Sequence, residues 1–183
     1  MAQDAHGPEL FGGYSYMRLD GGTFPRDFNA NGVNASVTGY LTKRFGIVGD
    51  FSAHYEHDGS TFGTTVQSVH ESVYQVLGGA QWKFVNGTRF TPFVHGLGGL
   101  VNTRITTDVN NSGTTIFHST DSAKDLALAL GGGLDIGLTK RVSLRAIQFD
   151  YNPRFIRDRT FGTVTFNGQT LHHIRISVGL VFR

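Results

Sequence analysis

The chain has 183 residues, among them 25 Gly, 15 Phe and 6 Tyr, with four Pro and no Cys; this suits one β-rich domain without disulfide or thiolate chemistry. Sixteen Lys and Arg against fourteen Asp and Glu leave a formal charge of +2, which provides no basic face for nucleic acid. No apolar run approaches the roughly 20 residues of a membrane helix, so a helical membrane protein is excluded, whereas the alternating strands of a membrane barrel average to a hydropathy near neutral, as the mean of -0.15 does here.

The opening MAQDAHGPEL has neither a basic nor an apolar leader segment. Residues 1–8 are expected to form a disordered tail ahead of a single barrel domain over 9–183. A first strand over 9–20, rich in aromatics, ends at Asp20-Gly21-Gly22, and its two faces are not sorted. After a polar stretch from 21 to about 31, residues 33–42 alternate, with Val33, Ala35, Val37, Gly39 and Leu41 opposing Asn34, Ser36, Thr38 and Tyr40. Lys43 and Arg44 turn the chain tightly into 45–56, where Phe45, Ile47, Phe51 and Tyr55 oppose Val48, Asp50, Ser52 and His54. A polar loop at about 57–71 precedes a strand over 72–84, with Tyr74, Val76, Ala80 and Trp82 against Gln75, Leu77, Gln81 and Lys83. Asn86-Gly87 marks a short hairpin turn. The strand that follows, 89–103, contains Pro92 and several Gly and is ambiguous in its faces.

A third polar loop is expected at about 104–123. Over 125–137 one side carries Leu126, Leu128, Leu130, Leu134 and Ile136, and the other Ala127, Ala129, Gly131, Gly133 and Asp135. A turn at 138–141 leads to 142–151, where Val142 and Leu144 share one parity and Ile147, Phe149 and Tyr151 the other; this change of phase predicts a bulge near Ala146. A fourth long loop, about 152–170, precedes the last strand. There Ile174, Ile176, Val178, Leu180 and Phe182 form one apolar side opposite Arg175, Ser177, Gly179 and Val181.

Eight strands joined alternately by long loops and tight turns predict an all-β fold, an eight-stranded antiparallel up-and-down transmembrane β-barrel with the long loops at one end. The direction of its apolar face follows from the charges. The polar parity is dominated by Gly, Ala, Ser and Thr, a poor outer surface for a soluble protein, where about a quarter to a third of residues are charged. The apolar parity carries no charge over 126–136 or 174–182, as lipid requires, since a cation on that face costs about 2–4 kcal/mol at the bilayer midplane. Leu126, Leu128, Leu130, Leu134, Ile176, Val178, Leu180 and Phe182 therefore face lipid. Asp50, Gln81, Lys83, Asp135, Arg145 and Arg175 point inward, where an unpaired charge costs several kcal/mol, and are expected to join Tyr40 in an interior ionic network.

The stretches FGGYSYMR, NASVTGYLTKRFGIVGDFS, TPFVHGLGG and LALALGGGLDIGL, with the closing Ser177-x-Gly179-x-x-Phe182, resemble small eight-stranded outer-membrane barrels of the OmpA/OmpX type and bacterial outer-membrane β-barrel domains. The resemblance covers nearly all of the chain from Glu9. It implies residence in the bacterial outer membrane, contact with outer-membrane lipids and lipopolysaccharide, a monomer, and a structural or adhesion-like role without an open pore. That class usually ends on an aromatic, and here Arg183 follows Phe182. A narrow channel and a soluble lipocalin-like ligand-binding barrel are the alternatives.

Some barrels of this class are lipid A enzymes, but the deacylase-like motif of His, spacer, Ser and Asn is not found, and His173 with Ser177 has no nearby acid in sequence. No catalytic residue and no cofactor are assigned. His54, His57, His70, His118, His172 and His173 lie toward the long-loop end and would gather at one rim; His54, His57, His172 and His173 are weak candidates for a metal site, with His54-x-x-His57 the one close spacing. Arg154, Arg157 and Arg159 in the fourth loop are expected to reach lipopolysaccharide phosphates.

Overall fold

A computed structural model describes residues 7–19, 28–62, 65–111, 114–156, 159–161, 164–166 and 168–183. Its elements are β1 (Glu9–Leu19), β2 (Phe28–Tyr40), β3 (Phe45–Phe62), β4 (Thr65–Lys83), β5 (Phe90–Asn111), β6 (Thr114–Gly137), β7 (Val142–Phe155), β8 (Arg159–Phe161), β9 (Val164–Phe166) and β10 (Thr170–Phe182). Strands β1 to β7 and β10 close into a barrel, each antiparallel to its neighbours, and β8 and β9 form a separate small hairpin. Closure leaves no unpaired edge in the wall.

Side chains alternate through the wall as the period of two requires. On β10, Ile174, Ile176, Val178, Leu180 and Phe182 are exposed on the outside while Arg175, Ser177 and Val181 are buried. Leu126, Leu128 and Leu130 are likewise outward, and Leu134 is half-buried on the same side. On β1 the outward set is Leu10, Tyr14 and Arg18, against the buried Glu9, Phe11, Ser15, Met17 and Leu19. Both faces of β1 carry large apolar residues, so its sequence alone does not sort them.

At the seam, β1 and β10 meet across Gly13 and Gly179. A Cβ on Gly13 would lie 2.1 Å from the carbonyl oxygen of Val178, and one on Gly179 would lie 2.3 Å from that of Gly12. Glycine at both positions is what lets the two backbones come together.

The expected bulge is present at Ala146. Leu134 pairs with Ile147 but Asp135 pairs with Arg145, and on the other side Ser177 pairs with Gln148 while Gly179 pairs with Arg145. The extra residue turns Ser143 and Arg145 inward on one side of it and Gln148, Asp150 and Asn152 inward on the other.

The second and third long loops are largely strand. β3 runs to Phe62 and pairs with β4 back to Thr65; β4 continues to pair with β5 up to Asn111, and β5 with β6 down to Thr114. The fourth loop gives its first residues to β7 and its middle to the β8–β9 hairpin, and Phe28–Asn31 belong to β2. These segments are polar because they have left the lipid, yet Thr106, Thr107, Val109, Thr115 and Ile116 keep the β-branched character of a strand. Polarity reported the solvent rather than the loss of structure.

Two of the short turns are the same tetrapeptide, Leu-Thr-Lys-Arg, at 41–44 and 138–141. In each, the amides of the Leu and Thr donate to one carbonyl oxygen, that of Phe45 or Val142, at 2.9–3.1 Å. The Thr42 and Thr139 hydroxyls each accept two further backbone amides. The turn between β4 and β5 uses Gly87 at φ 73°.

Candidate functional site: a charged lumen beneath a four-stranded sheet

The interior is built around one connected set of charges. Arg175, fully buried, donates from Nη1 to Asp50 Oδ1 at 2.8 Å and to Ser52 Oγ at 3.2 Å, and from Nε to Asp150 Oδ2 at 2.9 Å. Asp50 also accepts from Asn34 Nδ2 at 2.8 Å, and Asp150 from His95 Nε2 at 2.6 Å and Gln148 Nε2 at 2.8 Å. Gln148 Oε1 in turn accepts from Arg145 at 2.8 Å. Arg145 forks onto Asp135 at 2.8 and 3.3 Å and lies between the rings of Phe11 and Phe93, 4.5 and 4.2 Å from their centroids. Lys83 bridges Asp135, at 3.4 Å, and Glu9, which Arg183 also engages. Tyr40 donates to Glu9 at 3.0 Å and accepts from Gln81 at 2.6 Å.

Four carboxylates, Glu9, Asp50, Asp135 and Asp150, thus meet four cations, Lys83, Arg145, Arg175 and Arg183. Every strand of the barrel wall contributes, β2 through Asn34 and Tyr40 and β5 through His95. In a low-dielectric interior each charge is retained only by a partner in good geometry, so the set closes the barrel on itself.

The structure places Asp50, Gln81, Lys83, Asp135, Arg145 and Arg175 inside and brings all of them into this one set. Sequence reading missed Glu9, His95, Gln148, Asp150 and Arg183. For Gln148 and Asp150 the signal was available: a bulge at Ala146 inverts the parity after it and points both inward. Glu9 was hidden by the unsorted faces of β1.

Away from the short turns the lumen changes character. Met17, Leu19, Val73, Leu77, Leu97, Val101, Ala127 and Ala129 pack together as a buried apolar cluster. Arg154 lies on the same inward side, on β7. It donates to both Asp125, at 2.6 Å, and Thr103, at 2.7 Å, and is buried. Its expected reach to lipopolysaccharide is therefore corrected: β7 continues past 152 and carries Arg154 into the barrel. Arg157 and the side chain of Arg159 lie outside the described residues.

The described histidine side chains do not form one group, although His57 and His70 stand opposite each other in the β3–β4 register. His54 is fully buried and bonded through Nε2 to Ser15 Oγ at 2.9 Å, and His173 is buried as well. His172 is outside, stacked on Tyr151 with ring centroids 5.8 Å apart and hydrogen-bonded to its hydroxyl. Strand alternation sends neighbours to opposite faces, which separates His172 from His173. His118 is exposed and paired with Asp108 at 2.5 Å, and the side chain of His57 lies outside the described residues. Among the described residues no group of three or more His, Cys, Asp or Glu is arranged to hold a metal. The Ser15–His54 contact resembles a catalytic pair, but neither residue has exposed surface and His54 Nδ1 meets no acid among the described residues.

Above the lipid band, β3 to β6 continue together as a four-stranded antiparallel sheet. The outer row of aromatics ends at Tyr55 and Tyr74, packed edge to face with centroids 5.9 Å apart. Just beyond this pair the outward positions are His70, Ser72, Asn102, Arg104, Ser122 and Lys124, and farther out on the same face Asp108 pairs with His118. The opposite face carries Glu56, Glu71, Asp121 and the paired Asp125. Near its base the sheet is basic outside and acidic inside.

Among solved structures the chain is similar to Ail, the attachment invasion locus protein of Yersinia pestis, at 16% identity and a TM-score of 0.58, covering 96% of this chain and 97% of that one. It is also similar to Neisserial surface protein A at 11% identity and 0.60, covering 96% of each chain. The outer membrane protease OmpT from Escherichia coli follows at 7% and 0.52, covering 96% and 95%. At these identities the likeness is one of fold. None of the curated proteins matches. The family model described as outer membrane protein beta-barrel domain matches residues 1–182. With a closed eight-stranded wall, an apolar exterior and its charges inside, the chain belongs to the outer membrane protein beta-barrel domain family and resides in the bacterial outer membrane.

Proposed function

We propose that the protein is a surface-contact barrel, anchored by its wall and presenting the upper β3–β6 sheet to adhesion partners outside the cell. The observation that carries this reading is the sheet itself. On one side β3 pairs with β2 only as far as Tyr55, and on the other β6 pairs with β7 only from Leu126. Among the described residues, the upper parts of β3 and β6 are therefore free edges, and such edges recruit further strands. Ile116 and Phe117 add an exposed apolar tip. A likeness in fold to an attachment protein is in keeping with this role.

The lumen is read as structural. Arg175, Lys83, Phe93, Met17 and Gln148 are fully buried across it, as in eight-stranded barrels filled by their own side chains, and no conductance and no catalysis are proposed. Arg104 and Lys124, diagonal neighbours on the outer face of β5 and β6, are the cations suited to lipopolysaccharide phosphates in place of Arg154. The chain acts as a monomer.

The test is adhesion of cells displaying the full chain and of cells displaying a chain in which short turns replace residues 57–70 and 104–123. Binding should be lost while heat-modifiable migration of the barrel persists; undiminished adhesion would reject the reading. Stepwise currents in planar bilayers would favour a channel instead, and lipid A remodelling abolished by His173→Ala would favour an enzyme.

A further inference from the structure

We propose that the ring of short turns at the other end of the barrel is a collar that binds the phosphate headgroups of anionic phospholipids in the leaflet it faces. The three connections, residues 41–44, 84–89 and 138–141, contain Lys43, Arg44, Arg89, Lys140 and Arg141 and no acid. All five cations are exposed, and none has an acidic partner among the described residues. In the lumen, by contrast, Lys83, Arg145, Arg154 and Arg175 each hold a carboxylate. A fold that matches its interior cations so closely leaves the collar to be matched from outside.

The depth of the collar is set by the sequence of the turns. Leu41 and Leu138 are 67% and 55% exposed at the end of the apolar wall, next to a row of outward aromatics, Trp82, Phe84, Phe90 and Phe182. With the Leu in hydrocarbon, the Lys and Arg two and three residues on reach the headgroups. The turn itself does not use them: backbone amides and the hydroxyls of Thr42 and Thr139 close it. The two Leu-Thr-Lys-Arg turns join β2 to β3 and β6 to β7, four strands apart in a ring of eight, with Arg89 between β4 and β5. The cations therefore surround the barrel instead of forming one patch. Anchoring at headgroup depth favours a lipid over a polymer lying farther from the membrane.

Trp82 is the one tryptophan of the chain and sits beside the first of these turns. It pairs across the strands with Phe45, 6.3 Å between centroids, and the Lys83 amide donates to the Arg44 carbonyl at 2.7 Å. Its quenching by brominated lipid therefore reads the lipid bound at that turn. The full chain is refolded in vesicles containing brominated phosphatidylglycerol or brominated phosphatidylcholine, and relative association constants are taken from the quenching. The wild type should prefer phosphatidylglycerol about 5-fold, the effect of roughly one basic residue at an anionic surface. Lys43→Gln with Arg44→Gln should bring the preference near unity. Lys140→Gln with Arg141→Gln, on the far side, should leave it, which shows that the effect is local to the turn. Heat-modifiable migration confirms folding of each variant. No preference in the wild type, or a preference that survives Lys43→Gln with Arg44→Gln, would overturn the proposal. Retention on isolated peptidoglycan without any lipid preference would overturn it too, in favour of a cell-wall partner.

Discussion

The two ends of the lumen are held by different physics. Toward the short turns and through the middle, Glu9, Asp50, Asp135 and Asp150 are threaded onto Lys83, Arg145, Arg175 and Arg183. Toward the upper sheet, Met17, Leu19, Val73, Leu97 and Val101 pack as an apolar plug, with the one buried Arg154–Asp125 ion pair beside it. The ionic part joins residues far apart in sequence, Arg175 to Asp50 for instance, and removing one member strands its partners in a medium that solvates charge poorly. The apolar part is local and non-directional, and losing a side chain from it leaves a cavity whose cost depends on how well the neighbours collapse. The same barrel is therefore brittle at one level and compliant at another.

The largest expected effect comes from the centre of the ionic part. Arg175→Ala leaves Asp50 and Asp150 facing each other without their shared cation and should cost about 3–5 kcal/mol, measured by urea unfolding of the barrel in lipid vesicles. A loss below about 1 kcal/mol would show that water reaches the two carboxylates and that this level of the lumen is not sealed. In the apolar plug, Met17→Ala should cost about 2–3 kcal/mol and Met17→Leu less than about 1.5 kcal/mol. Equal losses for the two would mean that Met17 matters for more than volume. Lys83→Met is expected to be milder, about 1–2 kcal/mol, because Arg183 still touches Glu9 and Arg145 still forks onto Asp135. If it proved as costly as Arg175→Ala, the two ends of the ionic set would have to be one cooperative unit.

Much of this contrast was legible in the sequence. Parity assigned the outward leucines of β6 and the inward Asp50, Lys83, Asp135, Arg145 and Arg175, because a period of two fixes the face of every residue once one face is known. The phase change in β7 located the bulge at Ala146. What could not be read was distance through the lumen: that Arg175 meets Asp50, three strands away around the ring, depends on the shear of the closed sheet, which no local pattern carries. The apolar plug was hidden for a different reason. Met17 and Leu19 sit on a strand with large residues on both faces, and Val101 on one interrupted by glycines and Pro92. The extension of β3 to β6 into a sheet was missed because a polar, Thr-rich hairpin in water has the composition of a loop.

A third regime lies where the plug meets the extracellular sheet, and it yields the smallest but most specific effect. Glu71 on β4 is directly opposite Glu56 on β3, one step beyond the Tyr55–Tyr74 pair that ends the lipid band, with Ile105 opposite it on β5. Burial first, and then the neighbouring charge of Glu56, hold the Glu71 carboxyl above its ordinary value of 4.5, while Arg154 opposes the shift. Because the folded-state pKa is the higher one, the base of the sheet is penalised at neutral pH. The penalty is lifted as pH falls through the raised value, and it ceases to change below 4.5, where the unfolded chain is protonated too. Hydrogen exchange of the amides around 55–57 and 70–72 should therefore slow as pH is lowered from neutral toward 5, after correction for the intrinsic exchange rate. Glu71→Gln should abolish that dependence and stabilise the hairpin at neutral pH by about 0.5 kcal/mol, the scale of a like-charge cross-strand pair. Protection that instead weakened on acidification would place the dominant interaction of Glu71 with Arg154, and the upper limit of the ionic set would then extend from the middle of the lumen into the base of the extracellular sheet.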